Sequence, residues 1–344
     1  MKTPKWLKWE FLPWKYFYFP VYIYYLILSL KEGSMGWIAA VNPQLPLGGM
    51  ADTSKNSLLV HFQKNLIPSS ILIDKKLSDL ELKEKLIASD LTFPLIAKPD
   101  RMERGLGVEL VKDISALNKY NQKNKFEYLI QEYIDYPIEL GILYYRYPDS
   151  SVGEITSIVQ KGFLKIIGDG NSKVKELLKK HPRAGYFKKH IEKQWSAKMD
   201  HVLALDEELL LEPIGNHNRG TTFHNANDLI NEALVRVFDN ICKQVPDFYY
   251  GRFDIRVPSL EDLYAGQNIK IIELNGSNSE PAHIYDPEYS LFRAYKDLLF
   301  HYKIMFRIAR INHRVNSVKY ISAMEGFRIL RYAEGNRNIL RATR

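Results

Sequence analysis

The chain has 344 residues, 46% apolar and 26% charged, so it can form two or three subdomains with buried cores and is neither disordered nor fibrous. A single cysteine, Cys242, excludes an internal disulfide and favours a reducing compartment, and the absence of a Cys-x-x-Cys pair argues against structural zinc. The net charge of +8 is uneven: residues 303–344 carry +8 and residues 1–35 carry +3, which leaves −3 for residues 36–302. Because a nucleic-acid enzyme normally carries its basic groove on its main domain, we expect no nucleic-acid partner.

Residues 1–35 form the first predicted segment, which is rich in Trp and Tyr beside Lys. Lys15, Pro13 and Pro20 interrupt the apolar run that a membrane-spanning helix requires, and Glu10 does not fit a secretory signal. Two interpretations stay open. The segment lies in a membrane–water interface, where such aromatic residues are common, or it is an aromatic helix packed on the body of the protein.

Residues 36–90 form a short second region that contains Gly48-Gly49 and Ser54-Lys55. These pairs do not make a phosphate-binding P-loop, because the glycines are adjacent and the Ser/Lys order is reversed. We predict a turn followed by a helix over residues 56–62, and the turn could touch substrate.

From residue 91 the pattern predicts a strand, a loop, a returning strand, a helix and another strand, from the segments FPLIAKPD, RMERGLG, VELVKD, ISALNKYNQ and FEYLIQEYI. Gly105 and Gly107 in the loop would allow close approach to phosphate oxygens. Lys98 ends an apolar strand and would need an anionic partner if it is buried.

A second constellation lies on a predicted hairpin of GRFDIRV and IKIIELNGS. Arg252, Asp254 and Arg256 alternate onto one face of the first strand, and Glu273 and Asn275 share a face of the second. Two buried carboxylates beside an amide oxygen predict a bound Mg²⁺ or Mn²⁺. The alternative is a buried ion pair between Arg252 and Asp254 or between Arg256 and Glu273.

With these motifs, residues 93–287 resemble the ATP-grasp superfamily, and within it the D-alanine–D-alanine ligase-like and cyanophycin-synthetase-like carboxylate–amine ligases. The resemblance rests on the lid motif IAKPDRMERGLGVELV, the hinge YLIQEYIDYPIELG and the metal hairpin GRFDIRV…IIELNGS. It implies an α+β ATP-grasp fold in which two α+β subdomains clamp ATP. We expect a lid subdomain over residues 91–140, a catalytic and metal subdomain over residues 141–300 and a basic helical tail over residues 301–344.

The resemblance also implies roles for individual residues. Those expected to bind ATP are Lys98 and the loop residues Arg104, Gly105, Leu106, Gly107 and Val108 at the phosphates, Gln131, Glu132, Tyr133 and Ile134 at adenine, and Glu139 at the ribose. Asp254, Glu273 and Asn275 would hold two Mg²⁺ ions, with Mn²⁺ as the alternative metal. Arg252 would lie beside the oxygen of the reacting carbonyl, and Lys161 would add positive charge.

The implied activity is ATP-dependent amide-bond formation through an acyl phosphate, with release of ADP. The substrates would be a carboxylate and an amine, such as an amino acid, a peptide or an amino-containing cell-envelope compound. The short region before residue 91 replaces a full substrate domain and argues against D-alanine dimerisation. Candidate substrate-binding residues are Arg219, Gly220, Ser277, His283 and Tyr285, and we expect His283 to position substrate rather than transfer a proton.

The tail predicts a helix over residues 291–312 with an apolar face and a basic stripe. The apolar face comprises Phe292, Tyr295, Leu299, Tyr302, Phe306 and Ala309, and the stripe Arg293, Lys296, Lys303, Arg307, Arg310 and Arg314. The stripe is either a solvated face or a contact for an anionic membrane surface. We expect a cytoplasmic protein. If the stripe contacts a membrane, we expect the protein to be peripheral on the inner face of that membrane. By analogy with similar ligases, we also expect a homodimer.

Two other classes of function remain as alternatives. A membrane-attached ATP-binding protein without ligase activity would be expected to lose one of Asp254, Glu273 and Asn275, and all three are present. A nucleic-acid-binding protein is disfavoured by the acidic body and by the lack of an RNA-binding signature around the aromatic residues.

Overall fold

The computed structural model describes residues 9–103, 105–187, 191–192 and 194–342. Its helices are α1 (Trp14–Phe17), α2 (Phe19–Glu32), α3 (Lys55–Leu59), α4 (Asp79–Ala88), α5 (Ile114–Lys123), α6 (Val174–Lys180), α7 (Glu232–Cys242), α8 (Leu260–Ala265), α9 (Leu291–Arg314) and α10 (Ala323–Ala342). Its strands are β1 (Ser70–Ile73), β2 (Leu95–Pro99), β3 (Glu109–Val111), β4 (Tyr128–Glu132), β5 (Ile138–Tyr145), β6 (Glu154–Gly162), β7 (Lys165–Ile167), β8 (Glu208–Leu210), β9 (Thr222–Asn225), β10 (Tyr250–Val257) and β11 (Lys270–Asn275).

The first subdomain is an antiparallel sheet in the order β1-β4-β2-β3, packed against α4 and α5. Ser78 and Glu81 form a capping box that starts α4, and the Asp113 side chain caps α5. Leu82 of α4 and Leu117 of α5 bury their side chains against Leu95 of the sheet. The predicted succession of strand, loop, strand, helix and strand is confirmed. However, β1 is also a strand of this sheet and α4 packs against it, so the subdomain begins before the boundary expected at residue 91.

The second subdomain is an antiparallel sheet in the order β11-β10-β5-β6-β9. One face is covered by α7 and α8, whose Phe238 and Leu263 pack with Ile142 of β5 and Phe253 of β10 in the largest core. A small sheet of β7 and β8 packs with α6 in a separate cluster. The expected α+β class with two α+β subdomains is confirmed, and each subdomain contains an antiparallel sheet.

The N-terminal segment packs on the body of the protein. Phe17 and Val21 are buried with Ile284 and with Leu298 of α9, and the Trp9 indole N–H donates to the carbonyl of Tyr289 at 2.9 Å. One side of the described part of residues 1–35 is therefore packed on the body of the protein, as the second interpretation predicts, while its other side is exposed. In the ranges that the structure describes, no helix is both long enough and apolar enough to cross a bilayer.

The predicted tail helix is confirmed as α9, but its predicted buried face is partly wrong. Phe292 is 81% exposed, and the inward face instead includes Ala294, Leu298, His301 and Met305. The reason is that α9 packs on both α2 and the segment around Trp37, so its buried face is set by these neighbours. Its basic stripe is partly engaged, because Arg310 and Arg314 pair with Glu32 of α2 at 2.9 and 3.6 Å and Arg307 lies over the Tyr147 ring.

Candidate functional site

The predicted carboxylate hairpin is formed by β10 and β11. Arg252 lies opposite Asn275 and Asp254 opposite Glu273, and a bulge follows Asp254. Asp254 is only 6% exposed, and its Oδ2 accepts hydrogen bonds from Arg252 Nη2 and Asn275 Nδ2, both at 3.4 Å. The strand register therefore brings the three candidate metal ligands and the candidate catalytic arginine together.

A line of charged side chains crosses the three central strands of the second sheet. Lys161 of β6 lies 2.8 Å from Glu139 Oε1 of β5 and 3.1 Å from Asp254 Oδ1. The other oxygen of Glu139 accepts from Arg256 Nε at 2.8 Å. Of the two ion pairs considered as alternatives to a metal, Arg252–Asp254 is present, whereas Arg256 pairs with Glu139 rather than with Glu273.

The charges in this line shift the pKa values of its members. Burial alone would raise the pKa of Asp254, but Arg252 and Lys161 outweigh it and the pKa is lowered. Burial would likewise lower the pKa of Lys161, but Asp254 and Glu139 raise it. Both groups are therefore held in their charged forms despite their burial.

Lys98 of β2, in the first sheet, also lies at the carboxylate hairpin. It is 4% exposed, and its ammonium group donates to Gln131 Oε1 and to the carbonyl of Ile272, both at 2.9 Å. Burial lowers its pKa to about 8, although the nearby charge of Glu273 opposes the shift. Because Lys98 belongs to β2 and Ile272 to β11, this hydrogen bond joins the first subdomain to the hairpin itself.

Lys55 is a site residue that the sequence analysis did not identify. Its Nζ lies 3.7 Å from Glu273 Oε1 and donates to the carbonyls of Pro99 and Asp100 at 3.3 and 3.2 Å, and to that of Met102. The Ser54 side chain caps α3, whose first residue is Lys55. The only signal was the Ser54-Lys55 turn, which the sequence suggested could touch substrate.

The glycine-containing loop between β2 and β3 has the left-handed conformation that glycine permits, with φ of +67° at Gly105 and +86° at Gly107. The backbone N–H groups of Leu106 and Val108 close local turns at 3.1 and 3.4 Å. Arg219 donates to the carbonyls of Gly105 and Val108 at 3.4 and 3.0 Å, so it contacts this loop. Arg104, also expected to bind ATP, lies outside the described residues.

The predicted hinge, residues 131–134, includes the last two residues of β4 and contacts Arg256. Arg256 donates to the carbonyl of Ile134 and lies over the Tyr133 ring at 5.5 Å. The backbone N–H of Glu132 donates to Ser69 at 2.8 Å. Gln131 is buried, and its Nε2 has no hydrogen-bond partner among the described residues. This leaves one buried donor at the hinge for a ligand.

The remaining substrate-binding candidates are engaged in internal contacts. Ser277 is buried and donates to the carbonyl of Gly48 at 2.6 Å. His283 is also buried, with Nδ1 at 2.8 Å from Ser157 Oγ and Nε2 at 3.2 Å from Asp297 Oδ2. Their roles in substrate binding stay predictions.

Of two further candidates of this group, Tyr285 contacts the N-terminal segment directly and Gly220 is linked to it through Arg183, which pairs with Glu10 at 3.1 Å. The Tyr285 hydroxyl donates to Glu280, and its ring stacks on Trp9 at 5.9 Å. Gly220 has a φ of +111°, and its carbonyl accepts from Arg183 Nε at 2.9 Å. The N-terminal segment therefore packs against the region that was expected to face substrate.

The donor set of the hairpin fits Mg²⁺, because it consists of two carboxylates and an amide oxygen. Glu273 is more accessible than Asp254, with side chains that are 29% and 8% exposed. In the described part of the chain, no group of three or more His, Cys, Asp or Glu side chains is placed to hold a metal ion. The candidate site therefore depends on the amide of Asn275 as its third ligand.

Two α+β subdomains thus meet at a lysine of one sheet and a carboxylate hairpin of the other, which is the arrangement that the resemblance to the ATP-grasp fold implies. In a family comparison, the model of the tubulin-tyrosine ligase family matches residues 53–141, the part of the chain that includes Lys55, Lys98 and the hinge. No curated protein matches the chain.

Solved structures similar to this chain include three ligases. A bifunctional glutathione synthetase from Pasteurella multocida is 18% identical, with 71% of this chain and 35% of that chain covered and a TM-score of 0.36. D-alanine–D-alanine ligase from Bacillus anthracis is 16% identical, with 75% and 66% covered and a TM-score of 0.40. VanG D-Ala:D-Ser ligase from Enterococcus faecalis is 14% identical, with 73% and 64% covered and a TM-score of 0.37. The chain thus spans about a third of the first and just under two thirds of the others, and a likeness this low extends to no substrate or reaction.

Proposed function

We propose that the protein is an ATP-dependent carboxylate–amine ligase. The observation that carries this proposal is the convergence of Lys98, Lys161 and Arg252 on the Asp254, Glu273 and Asn275 hairpin where the two subdomains meet. Such a site combines charge neutralisation for a transferred phosphoryl group with an acidic metal-binding hairpin.

The proposed reaction has two steps. The γ-phosphoryl group of ATP is transferred to a carboxylate oxygen, which yields ADP and an acyl phosphate. An amine nitrogen then attacks the acyl carbon, phosphate leaves, the amine loses a proton and an amide bond remains. Mg²⁺ held by Asp254, Glu273 and Asn275 would supply charge neutralisation to the first step.

The protein's own cations would act on both steps. Lys98 and Lys161 would place positive charge beside the phosphate oxygens, and Arg252 would stabilise the oxyanion that forms when the amine attacks. The Nε of Arg252 is buried and has no hydrogen-bond partner among the described residues, which supports a ligand-binding role for this guanidinium group.

We propose that the hinge residues 131–134 bind the adenine of ATP and that residues 105–108, with Arg104, bind its phosphates. The unpaired Gln131 Nε2 supports this position for the base. Glu139 remains our candidate for the ribose, where it would have to share its oxygens between the hydroxyls and the ion pairs with Lys161 and Arg256.

We propose an amino acid, a peptide or an amino-containing cell-envelope compound as substrate, and a cytoplasmic location because the reaction consumes ATP. The test is Mg²⁺-dependent release of ADP by the purified protein, screened against pairs of carboxylates and amines. Asp254→Asn should abolish turnover, whereas the exposed Asp228→Asn should not. ADP release that requires one carboxylate and one amine would support ligation and name both substrates.

Other results would change the proposal. Tight binding of Mg·ATP without turnover on any pair would favour an ATP-binding protein without ligase activity. Full turnover by Asp254→Asn would contradict the metal assignment, and no binding of ATP would contradict the nucleotide site itself.

A further inference from the structure

One face of α2 is apolar and exposed. The residues that form it are Phe19, Ile23, Leu26, Ile27 and Leu30, which recur at three- and four-residue intervals and are 46–83% exposed. Trp14 and Tyr16, just before this helix, are also exposed. A continuous apolar face of this kind on a protein surface marks an interaction site, and Trp and Tyr beside it are typical of the membrane–water interface.

A groove between α2 and α9 lies beside this face. It has a volume of about 390 Å³, and its walls include Leu28 of α2 and Phe300 and Ile304 of α9. Its cationic residues are Lys31, Lys303, Arg307 and Arg310, and the described residues that line it include no carboxylate. The groove thus offers an apolar floor and a positively charged rim.

The charge of this rim remains available to a ligand. Glu32 is largely buried and pairs with Arg310 and Arg314 at 2.9 and 3.6 Å, so it neutralises charge behind the groove. Lys31, Lys303 and Arg307 are exposed, and Arg307 is held in place by the Tyr147 ring at 4.0 Å. An anionic group would therefore meet at least three accessible cations.

We propose that this surface docks on an anionic phospholipid bilayer, with α2 lying in the plane of the interface and an anionic lipid headgroup in the groove. The fourteen residues of α2 span only about 21 Å, which is less than the ~30 Å hydrocarbon core, so the helix lies in the interface and does not cross it. Anionic headgroups complement the cations, and the acyl region receives the exposed apolar face.

A second copy of the chain fits this surface less well. A symmetric contact through the same face would bring the four cations of one groove close to those of the other, and no carboxylate among the described lining residues would offset them. Nucleic acid would satisfy the cations but would leave the aliphatic face of α2 in contact with a polar backbone.

The test is flotation of the full-length protein with vesicles of phosphatidylglycerol and phosphatidylcholine, and with vesicles of phosphatidylcholine alone. We expect binding to the first kind only. Lys31→Gln with Lys303→Gln should weaken binding by roughly fivefold for each cation removed, and Leu26→Glu with Leu30→Glu should abolish it. The matched controls lie on the exposed side of α4. They are Lys83→Gln with Lys85→Gln for the cations and Leu80→Glu with Ile87→Glu for the apolar residues, and both should bind as the unaltered protein does.

Several outcomes would overturn the proposal. These are no flotation with anionic vesicles, equal loss in the control variants, or flotation that survives both groove substitutions. A dimer in sedimentation that Leu26→Glu with Leu30→Glu dissociates, without vesicle binding, would assign the face to self-association. Full displacement from vesicles by soluble inorganic phosphate would assign the groove to a free anion instead of a lipid. None of these readouts depends on ligase activity.

Discussion

Lys161 Nζ lies 3.1 Å from Asp254 Oδ1, although the two residues belong to β6 and β10, which are separated by β5. Gly141 of β5 lies opposite Asp254, and a Cβ atom built on it would be 3.2 Å from Asp254 Oδ1. The lack of a side chain at Gly141 therefore leaves room for the lysine and the carboxylate to meet across the middle strand.

The first prediction concerns the strength of this buried pairing. Lys161→Met removes the cation that both Glu139 and Asp254 contact, and we expect the free energy of unfolding to fall by about 3–5 kcal/mol because two buried carboxylates lose a partner. The measurement is urea denaturation. Lys165→Met is the control, since its pair with Glu208 is exposed and should contribute about 0–1 kcal/mol. Equal losses in the two variants would contradict the argument.

The second prediction concerns catalysis by Arg252. If its guanidinium stabilises the oxyanion, Arg252→Ala should lower kcat by about 10²–10³ in the ADP-release assay. Arg236→Ala removes an exposed arginine of α7 and should leave kcat unchanged. A change in KM with an unchanged kcat would show that Arg252 binds substrate without acting on the transition state.

The third prediction concerns the charge of Lys98. Its pKa of about 8 in the free protein should rise when Mg·ATP binds, because phosphate oxygens replace the missing counter-charge. Binding above about pH 8 should therefore take up a proton, and the uptake should disappear in Lys98→Met. Calorimetric titrations in two buffers with different ionisation enthalpies measure it. ATP binding with no proton uptake at that pH would remove Lys98 from the phosphate site.

The fourth prediction concerns the pH dependence of stability. Burial lowers the pKa of His301 from its ordinary value of 6.5 to about 3. His301 binds its proton more strongly in the unfolded chain than in the folded protein. The contribution of His301 to stability is therefore highest above pH 6.5 and falls as the pH decreases towards 3. Between about pH 8 and pH 5, we expect the free energy of unfolding of His301→Gln to fall by about 2 kcal/mol less than that of the unaltered protein. The exposed His61→Gln is the control, and parallel curves for all three proteins would show that His301 does not titrate in this way.

The fifth prediction concerns the loop at Gly48-Gly49. Gly49 has a φ of +88°, and a Cβ atom there would lie 2.7 Å from the Cα of Gly276, so Gly49→Ala should destabilise the protein by more than 1 kcal/mol in thermal unfolding. Gly335→Ala is the matched control, because it lies within α10 with open space around it and should stabilise by about 0.5–1 kcal/mol. A neutral Gly49→Ala would mean that the two loops can move apart.

Several parts of the fold and the site could be predicted from the sequence because they depend on local pattern. The alternation of Arg252, Asp254 and Arg256 sets which side chains share a face of β10, and Glu273 and Asn275 follow the same rule on β11. Paired as the predicted hairpin, the two strands place Asp254 opposite Glu273, as the structure shows. The amphipathic repeat likewise determined that the chain forms α9, and very nearly where it begins and ends.

Only the tertiary structure decided which distant residues complete the site and which faces are buried. Lys55 reaches Glu273 because α3 packs against β11, and no pattern around Lys55 specifies that contact. The packing of separate elements likewise brings Arg219 to the glycine-containing loop and leaves Phe292 exposed to solvent. Local periodicity sets the direction of a side chain relative to its own strand or helix, whereas its neighbours depend on how separate elements pack, and that is a property of the whole folded chain.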